Sequence, residues 1–227
     1  MAKNKLKKYK EIAQLPNVIQ PLYKDLDIDY KFKGRWANGY FKNGQPLVLE
    51  LGCGKGEYVL HLAQKYPKKN FIGLDIKGAR LWAGGNAALE KKLPNVAFVR
   101  ADVSRITSLF DNDEVNEIWI TFPDPQPKKK QIKKRLTNPA FIKKYQRFLE
   151  EDGIIHLKTD NAGFFTYTLE VIEQMGCRLI QCTSDLYAKE VDETLAVKTY
   201  YETKFLTLGS TICYLQFQLG AEEVLKS

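Results

Sequence analysis

Three glycines, Gly52, Gly54 and Gly56, follow a short apolar run at 46–51. Glycine lets a backbone approach a ligand closely, and the first strand-to-helix turn of an open α/β sheet lies where cofactors bind. The dinucleotide fingerprint G-x-G-x-x-G would need glycine at 57, but the chain has Glu57, whose carboxylate would repel a pyrophosphate at a helix start. The pattern therefore favours a cofactor that has no pyrophosphate and carries positive charge.

Acidic residues stand at or near the ends of successive apolar runs. Glu50 lies in the first run, Asp75 ends the second, and Asp102 follows the third. An acid at the end of the second strand can accept hydrogen bonds from ribose hydroxyls, and Asp102 is placed to meet an adenine edge. The alternative is a structural turn with surface carboxylates. Acids at successive strand ends, in this order, make that alternative less favoured.

Apolar runs alternate with helical patterns along the chain. Strands are predicted at 46–51, 70–75, 95–100, 117–122, 153–158, 177–183 and 211–219, and helices at 57–66, 77–92, 103–110, 139–150 and 162–175. This alternation predicts an α/β fold with a parallel sheet and helices on both faces. Residues 123–137 are expected to form a loop, and 187–205 a mixed segment. We interpret 1–45 as a basic N-terminal extension with little regular structure, and 46–227 as the main domain.

The net charge of the 227-residue chain is concentrated in two segments. The formal charge is +8, from 35 Lys and Arg against 27 Asp and Glu. Residues 1–10 hold five Lys, residues 128–135 hold six basic residues, and neither segment holds an acid, so the remainder sums to 8 − 11 = −3. Clustered cations bind a polyanion by releasing its counterions. A solvated, frayed or surface-exposed segment is the alternative.

Composition excludes several classes of protein. A hydrophobic content of 44% argues against a disordered chain, and no apolar stretch is long enough to cross a membrane. The charged N-terminus has no apolar segment behind it, so we expect no secretory signal. The cysteines show no C-x-x-C spacing, which argues against a disulfide framework or a zinc site. The expectation is a soluble cytoplasmic protein without a metal.

The fourth strand end carries Phe-Pro-Asp-Pro at 122–125, and a basic segment follows directly. Further motifs are Leu-Glu-Leu-Gly-Cys-Gly-Lys-Gly at 49–56, Gly-Leu-Asp at 73–75, Lys-Thr-Asp at 158–160 and Thr-Tyr-Tyr-Glu-Thr-Lys-Phe at 199–205. With its glycine turn and acids, the chain resembles the class I S-adenosylmethionine-dependent methyltransferases, and among them the bacterial tRNA (guanine-N7-)-methyltransferases. The resemblance implies a Rossmann-like, seven-stranded, mostly parallel sheet whose last strand is antiparallel.

The resemblance also implies roles for individual residues. The implied cofactor is S-adenosyl-L-methionine, with S-adenosyl-L-homocysteine as product, and the implied substrate is guanine 46 in the tRNA variable loop. The cofactor contacts would be Glu50, Gly52, Gly54, Gly56, Asp75, Asp102 and Asp124. Asp124 would also be the catalytic residue. The substrate contacts would be Lys128, Asp160, Thr199, Tyr200, Tyr201 and Glu202. The RNA contacts would be Lys130, Lys133, Lys134 and Arg135. Residues 126–127 are Gln-Pro where some relatives have Trp-His, so stacking there could differ.

The implied chemistry needs few special groups. Guanine N7 carries a lone pair and no proton, so positioning does most of the work, and acids can stabilise charge that develops on the ring. Asp124 and Asp160 are both candidates to accept from the guanine N1–H and N2–H₂, and the sequence does not choose between them. His61 and His156 are expected in the core or on the surface, and Cys53 as a packing residue. Tyr200 and Tyr201 are the candidates for base stacking.

Two other functions stay open at this point. A class I methyltransferase could act on a different RNA, a small molecule or a protein, and 128–135 would then be a solvated loop. A non-catalytic RNA-binding protein could retain the fold without the cofactor. The oligomeric state is also open between monomer and homodimer.

Overall fold

The computed structural model describes residues 2–26 and 30–220. Parts of the extension predicted at 1–45 and of the domain predicted at 46–227 lie outside the described residues, namely Met1, 27–29 and 221–227. The helices are α1 (Ala2–Ile12), α2 (Glu57–Lys65), α3 (Gly78–Glu90), α4 (Pro139–Tyr145), α5 (Ala162–Gln174) and α6 (Tyr200–Thr207). The strands are β1 (Val18–Ile19), β2 (Leu47–Leu51), β3 (Asn70–Asp75), β4 (Val96–Arg100), β5 (Val115–Thr121), β6 (Leu149–Thr159), β7 (Arg178–Thr183) and β8 (Cys213–Gln218).

The strands form one sheet in the order β1-β4-β3-β2-β5-β6-β8-β7. Neighbours from β1 to β6 pair in parallel, whereas β8 is antiparallel to both β6 and β7. The predicted fold class, including the reversed last strand, is confirmed. The predicted number of strands needs correction, since the described residues form eight rather than seven. The additional strand is β1, whose two residues are too few to show a strand period.

The central strand β2 is buried on both faces. Leu47, Leu49 and Leu51 belong to the hydrophobic core on one side of the sheet, and Val48 to the core on the other. Such a continuous apolar run is typical of a parallel strand that helices cover on both sides. Because β2, β3, β4, β5 and β6 run in parallel, their carboxyl ends meet at one edge, and the predicted acids lie at or near those ends.

The N-terminal segment is more ordered than the sequence predicts. Helix α1 packs on α3, and Val18 of β1 pairs with Phe98 of β4. Trp36 lies in a π-helix, is fully buried, and donates from Nε1 to the Leu109 carbonyl at 2.8 Å. The prediction of little regular structure is therefore wrong for these parts, because the dense Lys residues hid the pattern of α1. A domain boundary at residues 45 and 46 stays a prediction.

Other element boundaries differ by a few residues. The helix predicted at 139–150 ends at Tyr145, and Leu149 already pairs with Val115 in the sheet. The predicted loop 123–137 contains a 3₁₀ helix at Lys129–Lys134, and the mixed segment 187–205 contains the start of α6. No helix in the described part of the chain is long and apolar enough to cross a membrane.

Candidate active site

Two adjoining cavities lie at the carboxyl edge of the sheet. The first, of about 270 Å³, is lined by Glu50, the glycine turn and the start of α6. The second, of about 630 Å³, is lined by the acids Asp75, Asp102 and Asp124 and by Lys133 and Lys134. Gly52, Arg80 and Phe122 line both cavities, so they mark the junction. The structure thus brings four of the predicted acids to one continuous cleft.

The glycine turn provides open backbone toward this cleft. Gly52 has φ +72°, and a Cβ built on it would meet no atom within 4 Å. Gly54 also lines the first cavity. Gly56 has a different role, because a Cβ there would lie 2.3 Å from the Phe98 ring. Gly56 therefore allows close packing of the turn against β4, and it lines neither cavity.

Glu50 points its carboxyl group from β2 into the first cavity and is almost fully buried. The Thr121 hydroxyl donates to Oε1 at 2.5 Å, and the Val59 N–H donates to Oε2 at 3.2 Å. Burial raises the pKa of Glu50 to about 7, although these two hydrogen bonds oppose the shift. A cation bound nearby would favour the ionised form.

Asp75 and Asp102 hold the backbone around the second cavity. Asp75 accepts from the Gly54 N–H at 2.9 Å through Oδ2, and from the Lys77 N–H at 2.7 Å through Oδ1. It therefore connects the glycine turn to the start of α3. Asp102 caps the following 3₁₀ helix by accepting from the Ser104 N–H at 2.8 Å. Both carboxylates remain on the wall of the cavity.

The loop that carries Asp124 has an unusual backbone. Phe122 has φ +48° and Gln126 has φ +47°, and such left-handed non-glycine residues cost about 1–3 kcal/mol each. The Phe122 N–H donates to the Lys158 carbonyl at 2.9 Å, and Asp124 Oδ1 accepts from the Gln126 N–H at 3.0 Å. These contacts place the exposed Asp124 carboxylate at the second cavity. The sequence signalled a turn here, but not the strain.

The basic segment at 128–135 divides into two kinds of residue. Lys133 and Lys134 line the second cavity, and Lys128 and Lys130 are exposed outside both cavities. Arg135 instead supports the loop, since it donates to the carbonyls of Pro125 and Gln126 at 3.0 and 3.4 Å. Its guanidinium also lies 4.3 Å from the centre of the Tyr167 ring. The predicted RNA contacts stay predictions, and these internal contacts argue against one for Arg135.

The start of α6 closes the first cavity. Thr199, Tyr200 and Tyr201 line it, and the Thr199 hydroxyl caps α6 by accepting from the Glu202 N–H at 3.2 Å. The Tyr200 N–H donates to Glu57 Oε2 at 2.6 Å, and the Tyr201 hydroxyl lies 3.3 Å from an Arg80 nitrogen. The contacts of Glu57 and Arg80 fix the segment across the cleft, and no sequence pattern signalled either contact.

Three residues predicted to contact the substrate lie outside both cavities, namely the exposed Lys128 described above, Glu202 and Asp160. Glu202 is fully buried, and its carboxylate bonds to Lys158 and to the Tyr187 hydroxyl. This placement gives Glu202 a structural contact and no face toward either cavity. Asp160 is half-buried just past β6, where burial raises the pKa of its carboxyl. It also lines neither cavity, so substrate contact by Glu202 or Asp160 stays a prediction that this geometry does not favour.

His61, His156 and Cys53 are the other side chains that could take part in chemistry, and their surroundings differ. His61 is exposed, whereas His156 is buried and stacks on Trp119 at a centroid distance of 3.8 Å. Burial lowers the pKa of His156, and the neighbouring Glu117 carboxylate opposes this shift. Burial also raises the pKa of the Cys53 thiol, which argues against a nucleophile. Within the described ranges, no group of three or more His, Cys, Asp or Glu could hold a metal ion.

The cleft fits S-adenosylmethionine better than a dinucleotide. The open turn at Gly52 accepts a ligand at close range, and the carboxylates suit an ammonium group, a sulfonium and ribose hydroxyls. A parallel sheet with a reversed last strand and this acid-lined edge defines a class I S-adenosylmethionine-dependent methyltransferase.

Comparison with known proteins specifies the family. A family model described as "Putative methyltransferase" matches residues 44–215. A tRNA (guanine-N(7)-)-methyltransferase of Christiangramia forsetii is 48% identical over 96% of this chain and 99% of its own length. A protein of the same name from Bacteroides fragilis is 46% identical over 100% of this chain and 90% of its own length. The chain belongs to the tRNA (guanine-N(7)-)-methyltransferase family.

Solved structures with low sequence identity share the fold. The 16S rRNA methyltransferase KamB aligns with a TM-score of 0.59 at 13% identity, over 78% of this chain and 89% of its own. A 16S rRNA (adenine(1408)-N(1))-methyltransferase from Catenulisporales acidiphilia, solved as a single-residue mutant with its cosubstrate S-adenosylmethionine, aligns with a TM-score of 0.56 at 12% identity. It matches 84% of this chain and 92% of its own. These likenesses support the class I fold.

Proposed function

We propose that this protein transfers the methyl group of S-adenosyl-L-methionine to N7 of guanine 46 in the tRNA variable loop. The products are 7-methylguanosine and S-adenosyl-L-homocysteine. One observation carries the proposal: the cationic Lys133 and Lys134 lie at the rim of the same cavity that Asp75, Asp102 and Asp124 line. The relatives' names specify the same reaction. The position within the tRNA rests on the family resemblance.

The cofactor would extend across both cavities. Glu50 and the turn at Gly52 and Gly54 would surround the methionyl part, and Asp75 and Asp102 would bind the ribose and adenine. When bound, the cofactor supplies an electrophilic methyl group on a positively charged sulphur. The buried Glu50 would stabilise the adjacent cationic groups. Gly52 would permit the approach, because a side chain there would fill the cleft.

The substrate base would need orientation more than activation. N7 bears no proton, so no residue has to remove one before attack. Asp124 lies on the wall of the second cavity, close to the junction formed by Phe122. We therefore favour Asp124 over Asp160 as the acid that accepts from the guanine edge and stabilises charge developing on the ring. Tyr200, which is 61% exposed beside the first cavity, offers a stacking surface.

The tRNA backbone would contact the exposed cations near the cleft. Lys128 and Lys130 are exposed, and Lys133 and Lys134 reach the rim, so phosphates could be held while one base enters. One chain lines both cavities, which suits a monomer, with a homodimer as the alternative. A tRNA substrate supports a cytoplasmic location.

The direct test is a reaction with labelled S-adenosylmethionine and an unmodified tRNA transcript. After nuclease digestion, the label should be found in 7-methylguanosine. A transcript with guanine 46 replaced by adenine is the matched substrate control and should remain unlabelled. Label in another nucleoside, or in the control transcript to the same extent, would contradict the proposed substrate. Absence of label with both transcripts would contradict the proposed activity.

A further inference from the structure

The methionyl end of S-adenosylmethionine carries an α-carboxylate as well as an α-ammonium group. The side chains assigned to the cofactor so far are Glu50, Asp75, Asp102 and Asp124, all of which are acids. Acids suit the ammonium, the sulfonium and the hydroxyls, but they repel a carboxylate at short range. A cation close to the glycine turn would offset this repulsion. We propose that Arg80 binds the α-carboxylate of the cofactor, an inference that rests on the proposed function.

Arg80 occupies the required place. It lies in the first turn of α3, is partly buried, and lines both cavities. Its Nη1 is 3.9 Å from the position that a Cβ on Gly54 would take. Its Nη2 is 3.3 Å from the Tyr201 hydroxyl on the other side of the cleft. The guanidinium thus lies between the glycine turn and α6, beside the first cavity.

The guanidinium also has free capacity. An arginine side chain has five N–H donors. Among the described residues, the contact with the Tyr201 hydroxyl is the hydrogen bond its guanidinium makes, and no carboxylate lies within ion-pair distance. The planar fork of arginine matches a carboxylate with two parallel hydrogen bonds. Arg80 therefore lies beside the first cavity with N–H donors that are free to bind an anion.

Other nearby cations fit this role less well. Lys55 lines the first cavity, but it is exposed and its Nζ lies 5.7 Å from the centre of the Tyr200 ring. Lys77, Lys133 and Lys134 line the second cavity only, where the ribose and adenine would lie. Among the residues that the structure describes, Arg80 is the cation that lines both cavities. Its contact with Tyr201 would also link carboxylate binding to the position of α6.

The test compares two ligands on purified protein by isothermal titration calorimetry. One is S-adenosylhomocysteine, and the other is its analogue with a 3-aminopropylthio group, which keeps the ammonium and lacks the carboxylate. Arg80→Ala should weaken S-adenosylhomocysteine binding about 10- to 100-fold, as expected for charge-assisted hydrogen bonds. It should leave the Kd of the analogue within about twofold. Wild-type protein should itself bind the analogue more weakly, by a factor similar to the effect of the substitution.

Lys55→Ala, at the other basic residue that lines the first cavity, is the matched control and should not produce a loss selective for the carboxylate. Thermal melting checks that each variant is folded. Equal weakening of both ligands by Arg80→Ala, no change in either, or an effect confined to tRNA binding would overturn the inference. The same selective loss in Lys55→Ala would overturn it too. If the Arg80 inference is overturned but wild-type protein still forms 7-methylguanosine, the proposed function remains intact. If wild-type protein binds no S-adenosylhomocysteine, the proposed function is contradicted as well.

Discussion

The Lys158 ammonium lies 2.8 Å from Glu202 Oε1, and both side chains are fully buried. The same ammonium donates to the carbonyls of Leu195 and Val197 at 2.8 and 3.2 Å. Lys158 belongs to β6 and Glu202 to α6, so this buried pair attaches the segment before α6 to the sheet. That attachment holds Thr199, Tyr200 and Tyr201, which line part of the first cavity. The buried pair therefore affects the site by keeping the start of α6 in place.

Removal of one partner should destabilise the protein strongly. Lys158→Met leaves the Glu202 carboxylate buried without its cation, and breaking such a pair costs about 3–5 kcal/mol. Urea denaturation at pH 7 measures the change in the free energy of unfolding. Lys189→Met, at an exposed position, should change it by less than about 0.5 kcal/mol. A loss below about 1 kcal/mol for Lys158→Met would contradict the role assigned to the buried pair.

Asp124 should be essential for transfer and Asp160 less so. Asp124→Asn keeps the shape of the side chain but removes the charge, and we expect the single-turnover rate to fall about 10²–10³-fold. Asp160→Asn should reduce it by less than about tenfold, since Asp160 lines neither cavity. Rapid quench with labelled cofactor gives both rates, and Asp152→Asn at an exposed position in β6 is the control. The opposite ranking of Asp124 and Asp160 would assign the guanine edge to Asp160.

The cations near the cleft should differ in their salt dependence. Each phosphate contact in duplex nucleic acid contributes about 0.9 to the slope of log K against log[salt]. Lys133→Ala with Lys134→Ala should therefore reduce the slope for tRNA binding, measured by fluorescence anisotropy. Lys143→Ala with Lys189→Ala, at exposed positions outside the segment, is the matched control. An unchanged slope would indicate that the basic segment does not bind phosphate.

Arg135→Ala should behave differently from the lysine variants. Its guanidinium supports the carbonyls of Pro125 and Gln126 beside Asp124, so the substitution should lower the melting temperature and the transfer rate. The salt slope of tRNA binding should remain that of the wild type. A reduced slope at unchanged melting temperature would instead show a phosphate contact, as the sequence predicted.

Cofactor binding should release protons near neutral pH. Burial raises the pKa of Glu50 from its ordinary 4.5 to about 7, and the cofactor's cationic groups would favour the ionised form. Affinity for S-adenosylhomocysteine should therefore fall as the pH decreases below about 7. Calorimetry in two buffers with different ionisation enthalpies measures the proton release. Glu50→Gln should abolish that release, and equal release by this variant would assign it to another group.

The raised pKa of Glu50 also makes the folding stability of the ligand-free protein depend on pH. Between pH 4.5 and 7 the folded protein holds a proton at Glu50 that the unfolded chain has lost. Glu50 therefore favours folding more as the pH falls from 7 to 4.5, and this contribution is lost as the pH rises through about 7. Comparison of melting temperatures of wild type and Glu50→Gln across this range isolates the effect. A difference that is constant with pH would contradict the raised pKa.

The parts of the site that follow strand ends were predictable from sequence. Gly52, Gly54, Asp75 and Asp102 occur where a local pattern of strand, turn and helix repeats, and parallel strands bring such ends together. Asp124 was indicated by the family resemblance. Gly56 was predicted from the same local pattern as Gly52, but its neighbour in space is Phe98 of β4 and it lines neither cavity, so its contact with the cofactor stays a prediction. Local spacing indicates that a turn is tight, but it does not show which side of the turn meets a ligand.

Contacts between distant segments were not predictable in this way. Arg80 reaches the cleft from α3, and Lys158 reaches Glu202 across 44 positions of the chain. The motif at 199–205 identified Glu202, yet only the fold shows that its carboxylate is turned into the core. Helix α1 was hidden because its many Lys residues resemble a solvated tail, although the helix packs on α3.

Bulk tRNA from a strain that lacks this protein provides the sharpest test of methyl transfer to guanine 46. That tRNA is incubated with the purified protein and S-adenosylmethionine, and the modified nucleotide is mapped by mass spectrometry. We expect a gain of one methyl group on guanine 46, as 7-methylguanosine, with an initial rate about 10²–10³-fold lower for Asp124→Asn protein. Methylation at a different nucleotide or atom, or an unchanged initial rate with Asp124→Asn protein, would contradict this function.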